Sequence, residues 1–189
     1  MSVDISDLVL PVPSPNLPLR RKGCTHLFPL PKGPWESISM DYMSGLPSTK
    51  LGNDCVFLVV YRFSKMAILT ACKKSITTEA AAKLFFERVW VHFGLPLTII
   101  SDRDSRFLST FLSSLWSLMD TKLTKSTAFH PQTDGQMKVV NTMIVHILRM
   151  YNSKHPRTWD ESLPYIQHSY NRALHNSTSH GPFQVSWWF

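Results

Sequence analysis

The chain has 189 residues, 43% of them hydrophobic and 17% charged, which is long enough to bury one substantial core and reads as a single domain with a tail. Twenty Lys and Arg against thirteen Asp and Glu give a net charge of +7, which would attract a polyanion such as nucleic acid and would equally serve solubility. Cys24, Cys55 and Cys72 are widely spaced with no CxxC pair, which argues against a disulfide framework and against a four-ligand zinc site, and fits a reducing compartment. No apolar stretch reaches membrane-spanning length. Leu8-Val9-Leu10 is too short for a secretory signal, follows Asp4 and Asp7, and is cut by Pro11. The expectation is a soluble, intracellular protein with no membrane partner.

Residues 1 to 34 hold Pro11, Pro13, Pro15, Pro18, Pro31 and Pro34 with little periodicity, which favours an extended arm over packed structure. From Trp35 the pattern changes. Ile38, Met40 and Tyr42 alternate with Ser39 and Asp41, the pattern of a strand with one buried face, and Asp41 falls on the face opposite the apolar stripe. The run Cys55 to Val60, bounded by Gly52-Asn53-Asp54, predicts a strand buried on both sides, and Met66 to Ala71 a third strand completing a meander.

Thr77-Thr78-Glu79 supplies N-cap chemistry for a helix through Ala80 to His92, with Ala81, Leu84, Phe85, Val89 and Phe93 at helical spacing and Gly94 and Pro96 as its stop. Leu97 to Ser101 predicts a short buried strand ending at Asp102. Phe107 to Met119 predicts a helix and Lys122 to Ser126 a short edge strand. After a turn-rich segment from His130 to Gly135, a long helix carries Met137, Val140, Ile144, Ile147 and Tyr151 on one face and Lys138, Asn141, Val145 and Arg149 on another. A last helix runs from about Thr158 to Arg172. Strands and helices in this order make an α/β layered domain over residues 35 to 186, with residues 187 to 189 as a truncated end.

Charge is concentrated late in the chain. Between Lys122 and Arg157 six basic residues (Lys122, Lys125, Lys138, Arg149, Lys154 and Arg157) face one acid, Asp134, so the stretch is either a solvated helix face or a nucleic-acid contact. Asp41, in the first strand, and Asp102, at the end of the fourth, would converge on a divalent cation if those strands are adjacent. The plainer alternative is that Asp102 caps the following turn, and His130 reads first as a loop or packing residue.

Several strings taken together resemble the integrase core of gypsy-class LTR retrotransposons. They are Pro34-Trp35-Glu36-Ser37-Ile38-Ser39-Met40-Asp41, Arg62-Phe63-Ser64-Lys65-Met66, Ile100-Ser101-Asp102-Arg103-Asp104-Ser105-Arg106-Phe107, and Ser126 to Gln136 with His130-Pro131-Gln132-Thr133-Asp134-Gly135 at its centre. Trp159-Asp160-Glu161-Ser162-Leu163-Pro164 and Tyr170-Asn171-Arg172-Ala173 extend the match, which spans roughly residues 27 to 185. The resemblance implies an RNase H-like fold, a five-stranded mixed sheet of three antiparallel strands followed by two parallel ones, flanked by helices. It also implies DNA integration by phosphoryl transfer on two magnesium (or manganese) ions held by two Asp and one Glu.

Carried over position by position, Asp41 matches the first aspartate and Asp102 the second, and both are the expected metal ligands. Beyond thirty-five intervening residues after Asp102, where the family has its glutamate, stands Lys138. The string Gly135-Gln136-Met137-Lys138-Val139-Val140-Asn141-Thr142 departs from the family pattern at Met137, Lys138 and Thr142, and Tyr61 stands where an aspartate commonly precedes Arg-Phe-Ser-Lys. Exchanging a carboxylate for an ammonium removes a ligand and puts positive charge where cations should sit, so loss of activity is expected. Asp134, and more weakly Asp104 and Glu87, are the carboxylates to weigh as substitutes. If DNA binding is kept, it should be sequence-tolerant and should use His130, Gln132, Thr133, Gln136, Lys138, Asn141 and Arg149.

Among the first 34 residues only Cys24 and His26 could be zinc ligands, too few for the family's N-terminal zinc module, so an isolated or truncated core is expected. The resemblance implies a homodimer and, for a working protein, a nuclear location. The rival expectations are an active integrase with a displaced third ligand, and a non-enzymatic DNA- or protein-interaction module in which Trp187 and Trp188 are candidate contacts.

Overall fold

Seven consecutive buried residues, Cys55 to Tyr61, fix the plane around which the domain is built, because a strand apolar on both faces must be covered on both. The computed structural model describes residues 35–101, 110–111, 113–115, 128–131, 135–153, 155–175 and 178–187. In it β1 (Ser37–Ser44), β2 (Cys55–Tyr61) and β3 (Ala67–Cys72) form an antiparallel meander. β4 (Thr98–Ser101) runs parallel to β1, and β5 (Ala128–Pro131) parallel to β4, so the sheet order is β3-β2-β1-β4-β5. A mixed α/β sheet flanked by helices is thus present, as the residue pattern predicts.

Beside β4 a strand lies where none is expected from the sequence. The segment paired there is Ala128–Pro131, so the backbone of His130 and Pro131 is strand where their turn chemistry predicts a loop. Pro131 is the last residue of an edge strand, where a missing N–H breaks no ladder bond. Lys122 to Ser126, the 1–34 arm and Trp188 lie outside the described residues. Of the helix expected over Phe107 to Met119, residues 110–111 and 113–115 are described and are helical.

Helix α1 (Thr78–Phe85) begins as its sequence predicts, with Thr77 Oγ1 accepting the Ala80 backbone N–H at 3.2 Å. It continues through a π-helical turn, Phe86–Trp90, into a last turn, Val91–Phe93, which Gly94 stops at φ +75°. Helices α2 (Gly135–Tyr151), α3 (Trp159–Arg172, entered through the 3-10 turn Pro156–Thr158) and α4 (Pro182–Trp187) follow.

The sheet separates two cores. On one face Ile38, Met40, Phe57, Val59, Tyr61 and Ile68 pack with Ala81 and Phe85 of α1, with Val89 of the π turn and with Phe111 and Leu115. On the other, Val56, Leu58, Val60 and Leu69 pack with α2 and α3. The inward stripe of α2 is Met137, Val140, Ile144 and Leu148, with Ile147 half-buried on its flank and Tyr151 exposed in the last turn. The 3-4-4 spacing keeps those four on one line, while Tyr151 reaches past the end of the core, its hydroxyl 3.4 Å from Ser169 Oγ.

β3 is an edge strand whose outward backbone groups would otherwise be open to pairing with another chain. Helix α3 closes that edge. Asn171, fully buried, donates its amide to Ala67 O and accepts from Ala67 N, both at 2.8 Å, and Gln167 Oε1 accepts from Leu69 N at 2.8 Å. At the helix start the Trp159 indole N–H donates to Pro47 O at 2.7 Å, which ties the β1–β2 connection to α3. Tyr61 is buried in the core, edge-on to Trp35 with ring centroids 4.5 Å apart. Here an aromatic side chain completes a cluster with Trp35 and Phe93.

Candidate metal centre

Asp41 lies on the α2 face of β1 because Ile38, Met40 and Tyr42 claim the other face. Its carboxylate is half-buried and both oxygens are engaged: Oδ1 accepts the Tyr42 backbone N–H at 2.7 Å and Oδ2 accepts from Asn141 Nδ2 at 2.6 Å. The second bond joins residues a hundred positions apart and is short, as charge-assisted bonds are. It exists because burial of Met137, Val140 and Ile144 fixes the rotation of α2, leaving Asn141 on the flank that looks along the sheet toward β1. Asn141 Oδ1 is buried and has no partner among the described residues.

The strand adjacency that the metal expectation requires is met. β1 and β4 are neighbours and parallel, and their register ends with Met40 opposite Ser101, the residue before Asp102. β5 continues the parallel set, with His130 opposite Ile100 and Pro131 opposite Ser101. The carboxyl ends of β4 and β5 therefore open beside the middle of β1, where an open α/β sheet places its ligands.

Of the expected site residues, Asp41 and Asn141 are brought into contact. Lys138 lies one helical turn before Asn141 and is exposed. Arg149 is exposed on the same helix, eleven residues further on, a rise of about 16 Å. The backbone of His130 is in β5 and that of Gln136 in the first turn of α2. Asp102, Gln132 and Thr133 lie outside the described residues, as do the substitute carboxylates Asp104 and Asp134. Glu87 is excluded as a substitute ligand by the fold. It projects from the π turn after α1, on the opposite face of the sheet, half-exposed and 3.9 Å from Lys83.

Hard oxygen donors suit magnesium, and Asp41 together with the free oxygen of Asn141 is a partial set of that kind. No group of three His, Cys, Asp or Glu side chains able to hold a metal occurs among the described residues, and Asp102 lies outside them. The neighbouring departure at Thr142 has a local outcome: its hydroxyl donates to Lys138 O at 2.8 Å, back along the helix. The Asp41–Asn141 bond was not legible in the sequence. The only signal for it was that Asn141 shares a stripe with Lys138.

Over 161 residues, 84% of its length, the chain is 42% identical to the Tf2-3 and Tf2-4 transposon polyproteins of Schizosaccharomyces pombe (strain 972 / ATCC 24843). It spans 12% of the length of these curated relatives. No family model matches the chain. Among solved structures it superposes on the HTLV-2 integrase catalytic core domain in complex with magnesium, trimeric form, with a TM-score of 0.62 at 19% identity over 82% of this chain and 98% of that one. The fold is that of an integrase catalytic core. The dimeric form of the same core gives 0.61 at 18% identity over 82% and 98%. A chain of the simian T-cell lymphotropic virus intasome in complex with PP2A regulatory subunit B56 gamma also superposes, with 0.62 at 17% over 86% and 60%. The chain is homologous to a segment of these transposon polyproteins. No helix among the described residues is long and apolar enough to cross a membrane.

Proposed function

We propose that the chain is the catalytic core of a gypsy-class retrotransposon integrase, a DNA-binding module whose phosphoryl-transfer chemistry is lost or severely impaired at Lys138. The observation that carries this reading is the position of Lys138, one turn before the asparagine whose amide holds Asp41. An ammonium there opposes the binding of divalent cations and favours a DNA phosphate. α2 contains no acidic residue, and Lys138 and Arg149 are both exposed on it. A phosphate backbone following that helix would give sequence-tolerant, salt-sensitive binding. By the same resemblance the module pairs with a second copy and works in the nucleus.

The test is a strand-transfer assay on the whole chain with magnesium or manganese, alongside calorimetric titration with Mn2+. The expected result is no strand transfer, partial recovery at most in Lys138→Glu, and Mn2+ affinity higher in that variant by about ten-fold or more, the scale seen when a metal site regains a missing part. Clear wild-type activity abolished by Asp102→Asn would overturn the reading.

A further inference from the structure

Two of the three cysteines, far apart in sequence, are brought face to face by the sheet. In the β2–β3 register Cys55 stands directly opposite Cys72. Opposed residues of an antiparallel pair point to the same face, and both side chains belong to the α1-side core, 1% and 4% exposed. The backbone bond from Tyr61 N to Met66 O makes those two a hydrogen-bonded pair, and every second pair along the ladder is then of the same kind, Cys55 and Cys72 included. The outward backbone groups of Ala67 and Leu69, bonded by Asn171 and Gln167, confirm that phase. Hydrogen-bonded pairs have Cα atoms about 5.5 Å apart, within the span of roughly 4.4 to 6.8 Å that a disulfide bridges. Cys55 Sγ lies 3.9 Å from Val56 O, and the neighbouring Cys55 thiol together with burial holds the Cys72 thiol well above the ordinary thiol range.

We propose that Cys55 and Cys72 form a modification site, a cross-strand dithiol that a small peroxide closes into an intramolecular disulfide locking the outer hairpin. One thiolate attacks hydrogen peroxide, forming a sulfenic acid and releasing hydroxide. The second thiolate then attacks the sulfenyl sulfur, the S–S bond forms, and hydroxide leaves as water. Over both steps two thiols lose two protons and two electrons, and one peroxide becomes two waters. Because both sulfurs are buried, the oxidant must be small, and closure proceeds at the rate at which the hairpin edge opens.

The experiment uses the full chain carrying Cys24→Ser, so that only this pair remains. After hydrogen peroxide, denaturation and alkylation, the expected protein takes up no alkyl group, has lost two hydrogens by intact mass, and yields one cross-linked peptide joining Cys55 to Cys72. Its unfolding midpoint rises by about 5 °C or more and returns on treatment with dithiothreitol. Two alkylatable thiols, sulfinic or sulfonic products, or a disulfide between two copies would each overturn the proposal.

Discussion

Two asparagines reach from helices on the same side of the sheet to its strands, and they end differently. Asn171, on α3, is fully buried and spends both ends of its amide on Ala67 of β3. Asn141, on α2, is half-buried, spends only its N–H on Asp41, and leaves Oδ1 buried without a partner among the described residues. A saturated amide is a structural clasp, because nothing remains of it to offer a ligand. A half-used amide beside a carboxylate, at the carboxyl ends of parallel strands, retains capacity for one. The contrast separates the part of the molecule that closes an edge from the part that keeps a site open.

The largest test of this contrast is Asn171→Ala. It strands the N–H and C=O of Ala67 under a helix, and each orphaned group costs on the order of 1 to 3 kcal/mol, so the loss of stability should be about 3 kcal/mol by urea unfolding. Gln167→Ala, which frees only the N–H of Leu69, should cost about 1 kcal/mol. A loss in Asn171→Ala no larger than that of Gln167→Ala would mean that the edge rehydrates and that the clasp is not structural.

Asn141→Ala should cost less, about 1 kcal/mol, since Asp41 keeps the Tyr42 backbone N–H and is near enough to solvent to find water for its other oxygen. Equal losses at the two asparagines would erase the distinction and make Asn141 a second clasp. If the difference holds, the stability of the fold and the chemistry of the Asp41 end can be varied independently.

How much of this was legible in the sequence follows from the range of the interactions. β1, β2, α1 with its Thr77 cap, and α3 were readable because periodicity and capping act within one element. The strand at Ala128–Pro131 was missed because His130 and Pro131 carry turn chemistry, whereas pairing with Ile100 and Ser101 decides their backbone. The inward stripe of α2 was read through Ile147 where Leu148 is the buried residue, an error that only the packed sheet resolves. Asp41 and Lys138 were singled out by resemblance and spacing. The Asp41–Asn141 bond, the Asn171 clasp and the Cys55–Cys72 pair each join residues that only register brings together. The cysteines are the sharpest case, since the spacing that argued against a disulfide framework says nothing about which residues face each other across a hairpin.

The smallest effect should appear as a pH dependence at the clasped end. His175 lies just past α3, edge-on to Tyr170 with centroids 4.8 Å apart, and its Nε2 is buried without a partner among the described residues. Burial, with a smaller contribution from Lys65, pulls its pKa below the ordinary 6.5, while the hydrogen bond with the Tyr170 backbone opposes the shift. The folded chain therefore refuses a proton that the unfolded chain accepts once the pH falls through 6.5. Protons bound by the unfolded state exceed those bound by the folded one, so stability from this group is full above that value and declines on acidification until the lower folded pKa is reached. His175→Phe keeps a ring against Tyr170 and removes the titration. Its urea midpoint should fall less than that of the unsubstituted chain between about pH 7 and pH 5. Parallel midpoints for the two proteins would show that the α3 end opens readily enough to protonate His175, and the clasp at Asn171 would then have to be weaker than its two bonds imply.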